Sequence, residues 1–167
     1  MSQFLPEKYK VNKMQQKRKM KKYPTVAVSI IFRYKNKILM LKHKNGKFTL
    51  PGGRMEWKES VLGALDRELK EELNYSLEKL EGEPELFNVW NYISKNGRRH
   101  NVYIQYIYQL NKKLNFSSPE GLQPLWLTKK ELISMKIITD EKFLNKVFNW
   151  RKSKNFKNKK RFYLEHF

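Results

Sequence analysis

An acidic segment that follows a glycine pair is the feature that most constrains how this chain can fold. Residues 50–77 read LPGGRMEWKESVLGALDRELKEELNYSL and bring Glu59, Glu68, Glu71 and Glu72 within a few helical turns of one another. The whole 167-residue chain has 36 lysines and arginines, only 16 acidic residues and a formal net charge of +20. Neighbouring carboxylates repel one another, so their arrangement needs a physical explanation.

Residues 60–73 are predicted to form a helix with one buried face. Ser60 is suited to cap its N-terminus, and Asn74 tolerates the left-handed conformation of a C-terminal cap. Leucines recur at helical spacing and predict the buried face, at positions Leu62, Leu65, Leu69 and Leu73. The glutamates are expected on the side opposite these leucines.

Two interpretations of the acidic helix remain open at this point. Glu68 neighbours Glu71 and Glu72 on the helix surface, and Arg67 is placed to pair with Glu71. A divalent cation with a preference for oxygen ligands, Mg²⁺ or Mn²⁺, would relieve the repulsion. The alternative is an ordinary acidic face of a surface helix in contact with solvent.

The order of the remaining elements predicts the fold class. Strands are predicted over 25–33, 37–43 and 47–50 before the helix, and over 86–94, 101–110 and 125–127 after it. Turns are predicted at Asn45–Gly46 and Asn96–Gly97, and an amphipathic helix is expected to begin near Thr139. This order, β-β-β-α-β-β-β-α, indicates an α/β sandwich in which helices cover both faces of a mixed β-sheet.

The basic charge is concentrated at the two ends of the chain. Residues 1–22 carry a net charge of +7 and residues 151–167 a net charge of +6. We therefore expect a basic N-terminal extension (1–22), a central domain (23–150) and a basic C-terminal tail (151–167). The tails either bind polyphosphate or nucleic acid such as RNA, or they are simply solvated.

The composition excludes several other classes of protein. At 40% hydrophobic residues the chain has enough apolar content to form a core. No apolar run is long enough to span a membrane, and no secretory signal is evident at the N-terminus. Cysteine is absent, which is compatible with a cytoplasmic location.

From Gly53 to Tyr75 the chain resembles the Nudix box, G-x5-E-x7-R-E-U-x-E-E-x-G-U, where U is a bulky apolar residue. Gly53 is followed after five residues by Glu59, and seven residues later by the run Arg67-Glu68-Leu69 and by Glu71-Glu72. Asn74 replaces the last glycine of the box, and the left-handed cap expected there is one that asparagine can form. The resemblance covers roughly residues 24–150.

This resemblance implies a Nudix-type hydrolase of a nucleoside diphosphate linked to another moiety. It implies that Glu68, Glu71 and Glu72 hold Mg²⁺ or Mn²⁺ together with the carbonyl of Gly53. One of these glutamates, or one outside the box, would then orient or deprotonate the attacking water. By the same resemblance, Glu59 and Arg67 form a supporting ion pair.

Residues outside the box are weaker candidates. By resemblance, Glu120 is a further metal ligand or base, or else an ordinary loop acid, and Tyr92 is a marker of dinucleoside-polyphosphate hydrolases or else a packing residue. Arg98 and Arg99, at a predicted hairpin tip, either contact substrate phosphates or RNA or are solvated. Trp90 stands where ADP-ribose-type members are expected to have proline.

Two functional hypotheses follow. The first is a Mg²⁺-dependent hydrolase, whose substrate is a nucleoside triphosphate, a dinucleoside polyphosphate, a nucleotide sugar or an RNA 5′ end. The second is an RNA- or ribonucleoprotein-binding protein that uses its basic tails on the same fold. The sequence leaves the substrate and the oligomeric state open, a homodimer included.

Overall fold

The computed structural model describes residues 23–152 of the chain. They form a seven-stranded sheet and three α-helices, with a short 3₁₀ helix at Leu77–Lys79. The strands are β1 (Thr25–Tyr34), β2 (Lys37–Lys42), β3 (Phe48–Thr49), β4 (Gly52–Arg54), β5 (Glu85–Ile93), β6 (His100–Gln109) and β7 (Gln123–Thr128). The helices are α1 (Val61–Leu73), α2 (Lys129–Ser134) and α3 (Glu141–Phe148).

Strand β1 organises the sheet because it pairs with three other strands. It runs parallel to β6 along almost its whole length, from Thr25 opposite Asn101 to Arg33 opposite Gln109. Its other edge is shared by β2, which forms a tight hairpin with it, and by β4, both antiparallel. In the part of the chain that the structure describes, β5 pairs only with β6, so it lies at an edge of this sheet.

Successive side chains of a strand point to opposite faces of the sheet, so the hydrophobic core is divided between the two faces. On one face, Val28, Ile30 and Phe32 of β1 pack against the leucines of α1. On the other face, Ile31 of β1 belongs to a cluster that contains Leu132 of α2 with Leu144 and Val147 of α3. The predicted mixed sheet covered by helices on both faces is confirmed.

Local sequence signals account for the helix boundaries. Ser60 caps α1 and accepts a hydrogen bond from the amide of Gly63. Thr128 and Glu131 form a reciprocal capping box at α2. Helix α3 is capped by Asp140, one residue after the predicted Thr139, because the Asp140 carboxylate accepts from the amide of Phe143.

The sequence predictions for the two tails fall outside the described residues, except for Arg151 and Lys152. No helix within residues 23–152 is long and apolar enough to cross a membrane.

Candidate active site

Helix α1 carries the acidic cluster and is fixed at both ends. Beyond its last turn, Asn74 has φ 50° and ψ 40°, and its amide donates to the carbonyls of Leu69 and Lys70. Asparagine therefore forms the left-handed cap that the sequence predicts for this position. The buried leucines Leu65, Leu69 and Leu73 determine how the helix is rotated against the sheet.

Glu72 is buried rather than opposite the leucine face. Its side chain borders that face, three residues after Leu69, and the residue is 7% exposed. The amide of Gly52 donates a 2.7 Å hydrogen bond to Oε2 of Glu72. The prediction that the acids lie opposite the leucines is therefore wrong for Glu72, because the backbone of β4 takes up its carboxylate.

The burial of Glu72 raises the pKa of its carboxyl to about 8. The hydrogen bond from Gly52 opposes this rise, and the negative charges of Glu68, Glu120 and Glu71 add to it. A carboxyl with this pKa can hold or release a proton near neutral pH.

Gly53 lies directly against the side chain of Glu68. A Cβ atom at Gly53 would lie 2.4 Å from the Glu68 carboxylate atoms, well inside the distance at which atoms are in contact. Gly53 pairs with Val28 in the sheet, so the missing side chain lets α1 approach β4 closely. The absence of a side chain at Gly53 thus leaves room for the Glu68 carboxylate where it stands.

Arg67 links the acids of α1 to the loop that precedes it. Its guanidinium donates to Glu59 at 2.8 Å, to Glu68 at 2.9 Å and to Glu71 at 3.3 Å. It also donates to the carbonyl of Arg54 at 2.8 Å. The hydrogen bond from Arg67, with a second from the amide of Glu56, lowers the pKa of Glu59 to about 2.

Glu120 belongs to the same electrostatic environment although it comes from a distant part of the sequence. It is exposed on the loop before β7, next to Gly121, which has φ +72°. Its charge contributes to the raised pKa of Glu72, so the fold brings it near the acids of α1.

The other predicted substrate contacts lie away from the acids. Tyr92 is on β5, which β6 and β1 separate from β4, so about 14 Å lies between the two strands at the usual spacing. Arg98 and Arg99 are exposed in the loop that joins β5 to β6. No hydrogen bond or ion pair among residues 23–152 joins these three residues to the acidic cluster.

The oxygen donors of the cluster suit a hard divalent cation by type and by charge. Glu72 is buried without a cationic partner in the described part of the chain, and Glu68, Glu71 and Glu120 add further negative charge. As the side chains stand, no three acidic or histidine side chains within residues 23–152 converge on one point. Glu68 and Glu71 are instead turned toward Arg67.

Sequence reasoning missed the role of Gly52 and the burial of Glu72. Gly52 has φ +129°, and a side chain there would collide with the backbone of Val28 and Ser29. The Pro51-Gly52-Gly53 run signalled a close backbone approach, but it did not show that the partner is Glu72.

Comparisons of the sequence with known proteins found a family match and a curated relative. The family profile described as NUDIX domain matches residues 22–150. An ADP-ribose pyrophosphatase from Methanocaldococcus jannaschii is 48% identical over 69 residues, which cover 36% of this chain and 41% of that protein. The chain thus spans about two fifths of the length of this relative.

Solved structures of similar fold extend over most of the domain. The E. coli dihydroneopterin triphosphate pyrophosphohydrolase has a TM-score of 0.62 at 16% identity, covering 77% of this chain and 100% of its own. An Ap4A hydrolase from C. elegans has a TM-score of 0.59 at 20% identity, covering 73% and 93%. A MutT protein from Bacillus halodurans has a TM-score of 0.58 at 23% identity, covering 75% and 83%.

The chain is thus an α/β protein in which a mixed sheet lies between helices and a glutamate-rich helix packs on a Gly-Gly strand. This chain belongs to the Nudix family.

Proposed function

We propose that this protein is a Mg²⁺-dependent pyrophosphohydrolase that cleaves a nucleoside diphosphate linked to another moiety. The observation that carries the proposal is the environment of Glu72. Its carboxyl is buried against the Gly52 amide, and the negative charges of Glu68, Glu120 and Glu71 add to the rise in its pKa. An arrangement that destabilises the isolated fold is expected where it serves a cation and a reaction.

Glu68, Glu71 and Glu72 are the residues that would hold the cation, with the Gly53 carbonyl as a further oxygen donor. Bound there, Mg²⁺ or Mn²⁺ supplies charge neutralisation and polarises the diphosphate and the attacking water. Glu68 and Glu71 are held by Arg67, and Glu59 orients Arg67 from the other side. This ion-pair network fixes the orientation of the Glu68 and Glu71 carboxylates.

The side chains suited to proton transfer are Glu72 and Glu120. The raised pKa of Glu72 allows it to accept a proton near neutral pH. Glu120 is exposed and close enough to influence Glu72 electrostatically, so it has access to water from the solvent side. We propose that one of these two glutamates takes the proton from the attacking water.

The names of two similar proteins suggest which substrates to test first. The M. jannaschii relative is named for ADP-ribose and the C. elegans neighbour for Ap4A. Both names describe a nucleoside diphosphate group attached to a further moiety. We propose ADP-ribose and dinucleoside polyphosphates as the first compounds to test, although Trp90 replaces the expected proline of ADP-ribose-type members.

The test is a hydrolysis assay on the full-length protein with Mg²⁺ and with EDTA. The panel contains ADP-ribose, a dinucleoside polyphosphate, a nucleotide sugar, nucleoside triphosphates and 5′-triphosphorylated RNA, with products separated by chromatography. We expect Mg²⁺-dependent cleavage of at least one compound, lost in Glu72→Gln and retained in the matched control Glu141→Gln, an exposed glutamate on α3. Equal cleavage by wild type and Glu72→Gln would contradict the proposal.

The alternative hypothesis, RNA binding through the basic tails, concerns residues outside the described range. It stays a prediction, which the loss of RNA retention on removing residues 1–22 and 153–167 would support.

A further inference from the structure

Three aromatic side chains form a partly exposed row on one face of the β5–β6 hairpin. Trp90 lies opposite Tyr103, and the two rings stack with centroids 4.3 Å apart and an interplanar angle of 17°. Tyr92 is two residues further along β5, so it projects on the same side as Trp90. Trp90 is 42% exposed and Tyr92 is 48% exposed.

Core packing does not account for this row. The two hydrophobic clusters that cover the faces of the sheet contain neither Trp90, Tyr92 nor Tyr103. Within residues 23–152, β5 pairs with β6 alone, so its other edge has no strand partner in this range. Large aromatic side chains that remain exposed on an edge strand are a mark of an interaction surface.

Basic residues lie at the end of this row, in the loop between the two strands. Lys95, Arg98 and Arg99 are exposed, and none of them pairs with a carboxylate among residues 23–152. The sequence contains no aspartate or glutamate from Leu86 to Pro119. The hairpin therefore presents positive charge without local compensation.

The loop is held in place by its own hydrogen bonds. The amide of Arg99 donates to Oγ of Ser94 at 3.0 Å, and the amide of Arg98 donates to Oδ1 of Asn96 at 3.1 Å. The amide of Ser94 donates in turn to the carbonyl of Arg99 at 2.9 Å. The arginine side chains thus start from a fixed backbone beside the aromatic row.

We propose that this hairpin surface, formed by Trp90, Tyr92 and Tyr103 with Lys95, Arg98 and Arg99, binds single-stranded nucleic acid. Exposed ring faces stack on unpaired bases, and neighbouring cations neutralise the phosphates that link them. A duplex does not fit this chemistry, because its bases are already stacked and paired. The surface lies apart from the acidic cluster, so binding does not depend on hydrolysis.

The test is fluorescence anisotropy with the full-length protein in EDTA and a labelled 5′-hydroxyl 12-mer, as RNA and as DNA of the same sequence. The 5′-hydroxyl end and EDTA keep the measurement independent of the proposed hydrolase activity. We expect Trp90→Ala/Tyr92→Ala to weaken binding by about tenfold or more, since base stacking is worth about 1–3 kcal/mol per base. Trp90→Phe is expected to keep most of the affinity. The circular dichroism spectrum and the Tm of each variant check that its fold is intact.

The matched aromatic control is Trp57→Ala, which removes a tryptophan that is 89% exposed on another loop. This variant is expected to bind like the wild type. Equal losses in Trp57→Ala and Trp90→Ala/Tyr92→Ala would overturn the proposal.

The charge contribution is tested by Arg98→Ala/Arg99→Ala against Lys112→Ala/Lys113→Ala, which removes equal charge beyond the other end of β6. The plot of log affinity against log salt concentration has a negative slope, and the loss of two phosphate contacts makes that slope less steep by about 1.4. We expect this decrease only in the arginine variant. Equal slopes in both variants would show that bulk charge alone drives binding and would overturn the proposal.

Two other partners are distinguished by the same variants. Vesicles of phosphatidylserine and phosphatidylcholine test a membrane surface, and light scattering after size exclusion tests a second copy of the chain. If Trp90→Ala/Tyr92→Ala abolishes vesicle binding or dimer formation but leaves the affinity for both 12-mers unchanged, the nucleic-acid proposal is wrong. A higher affinity for the RNA 12-mer than for the DNA 12-mer would indicate RNA as the ligand, and the reverse would indicate DNA.

Discussion

The amide of Gly52 donates a 2.7 Å hydrogen bond to Oε2 of Glu72, and it joins the glycine strand β4 to the acidic helix α1. The contact secures a carboxylate that is buried and has a pKa raised to about 8. A neutral amide compensates little of the charge, so the carboxylate form of Glu72 is costly in the metal-free protein. The relationship supports the proposal that the acids gather here to bind a cation.

The stability of the metal-free protein should therefore improve in Glu72→Gln. Because the folded pKa of about 8 lies above the ordinary value of 4.5, folding favours the protonated form. The contribution of protonated Glu72 to the free energy of unfolding is fully present below pH 4.5. It is lost as the pH rises through 8. In EDTA at pH 8.5, we expect Glu72→Gln to be more stable by about 1–3 kcal/mol, measured by urea unfolding.

The same comparison at pH 5 and with saturating Mg²⁺ provides the controls. At pH 5 the wild-type carboxyl is mostly protonated, so the two proteins should differ little. With Mg²⁺ the advantage of Glu72→Gln should vanish or reverse, since the wild type gains binding energy. A wild type that remains the more stable at pH 8.5 in EDTA contradicts the assigned environment of Glu72.

Replacement of Arg67 by lysine should lower both stability and activity. The guanidinium bonds Glu59, Glu68, Glu71 and the Arg54 carbonyl together, and an ammonium group cannot reproduce that planar arrangement. We expect a loss of about 1–2 kcal/mol in unfolding free energy and a fall in kcat of at least about tenfold. Glu59→Gln should show smaller losses of unfolding free energy and of kcat. A wild-type kcat in Arg67→Lys would contradict the role of Arg67 in holding the acids.

A methyl group at Gly53 should displace Glu68. The added Cβ would lie 2.4 Å from the carboxylate, so the Glu68 side chain has to shift away from it. Gly53→Ala is expected to lower the unfolding free energy by about 1 kcal/mol. In a double-mutant cycle the cost should largely disappear in the Glu68→Ala background; an equal cost in both backgrounds would place the strain elsewhere.

The cap at Asn74 provides a test of the one departure from the family motif. Its φ of 50° is a left-handed conformation that alanine adopts at a cost of about 1–2 kcal/mol. Thermal melts should show Asn74→Ala destabilised by that amount and Asn74→Gly equal to or more stable than the wild type. Equal melting of Asn74→Ala and the wild type would show that the cap has no energetic role.

Local patterns in the sequence predicted most of the elements, because they depend on neighbouring residues. The leucine spacing of α1, the Ser60 cap and the turn at Asn96–Gly97 are all local signals, and the structure confirms them. The parallel pairing of β1 with β6 and the short strand β4 were not predicted. Both depend on contacts between distant segments, which periodicity does not encode.

The same limit applies to the site. The box residues were found from spacing and resemblance, but the burial of Glu72 follows from its contact with Gly52, twenty residues away. Likewise, only the folded chain shows that Glu120 affects Glu72. The hairpin that carries Tyr92, Arg98 and Arg99 was predicted, but its separation from β4 by two strands was not.

The most direct test of the central claim is Mn²⁺ binding to the full-length protein, followed by electron paramagnetic resonance of the free ion. The account predicts binding by the wild type, competition by Mg²⁺, and affinity at least about tenfold weaker in Glu72→Gln. The control Glu141→Gln should bind as the wild type does. If the wild type does not bind Mn²⁺, or if Glu72→Gln binds it equally well, the acidic cluster is not a cation site and the account is wrong.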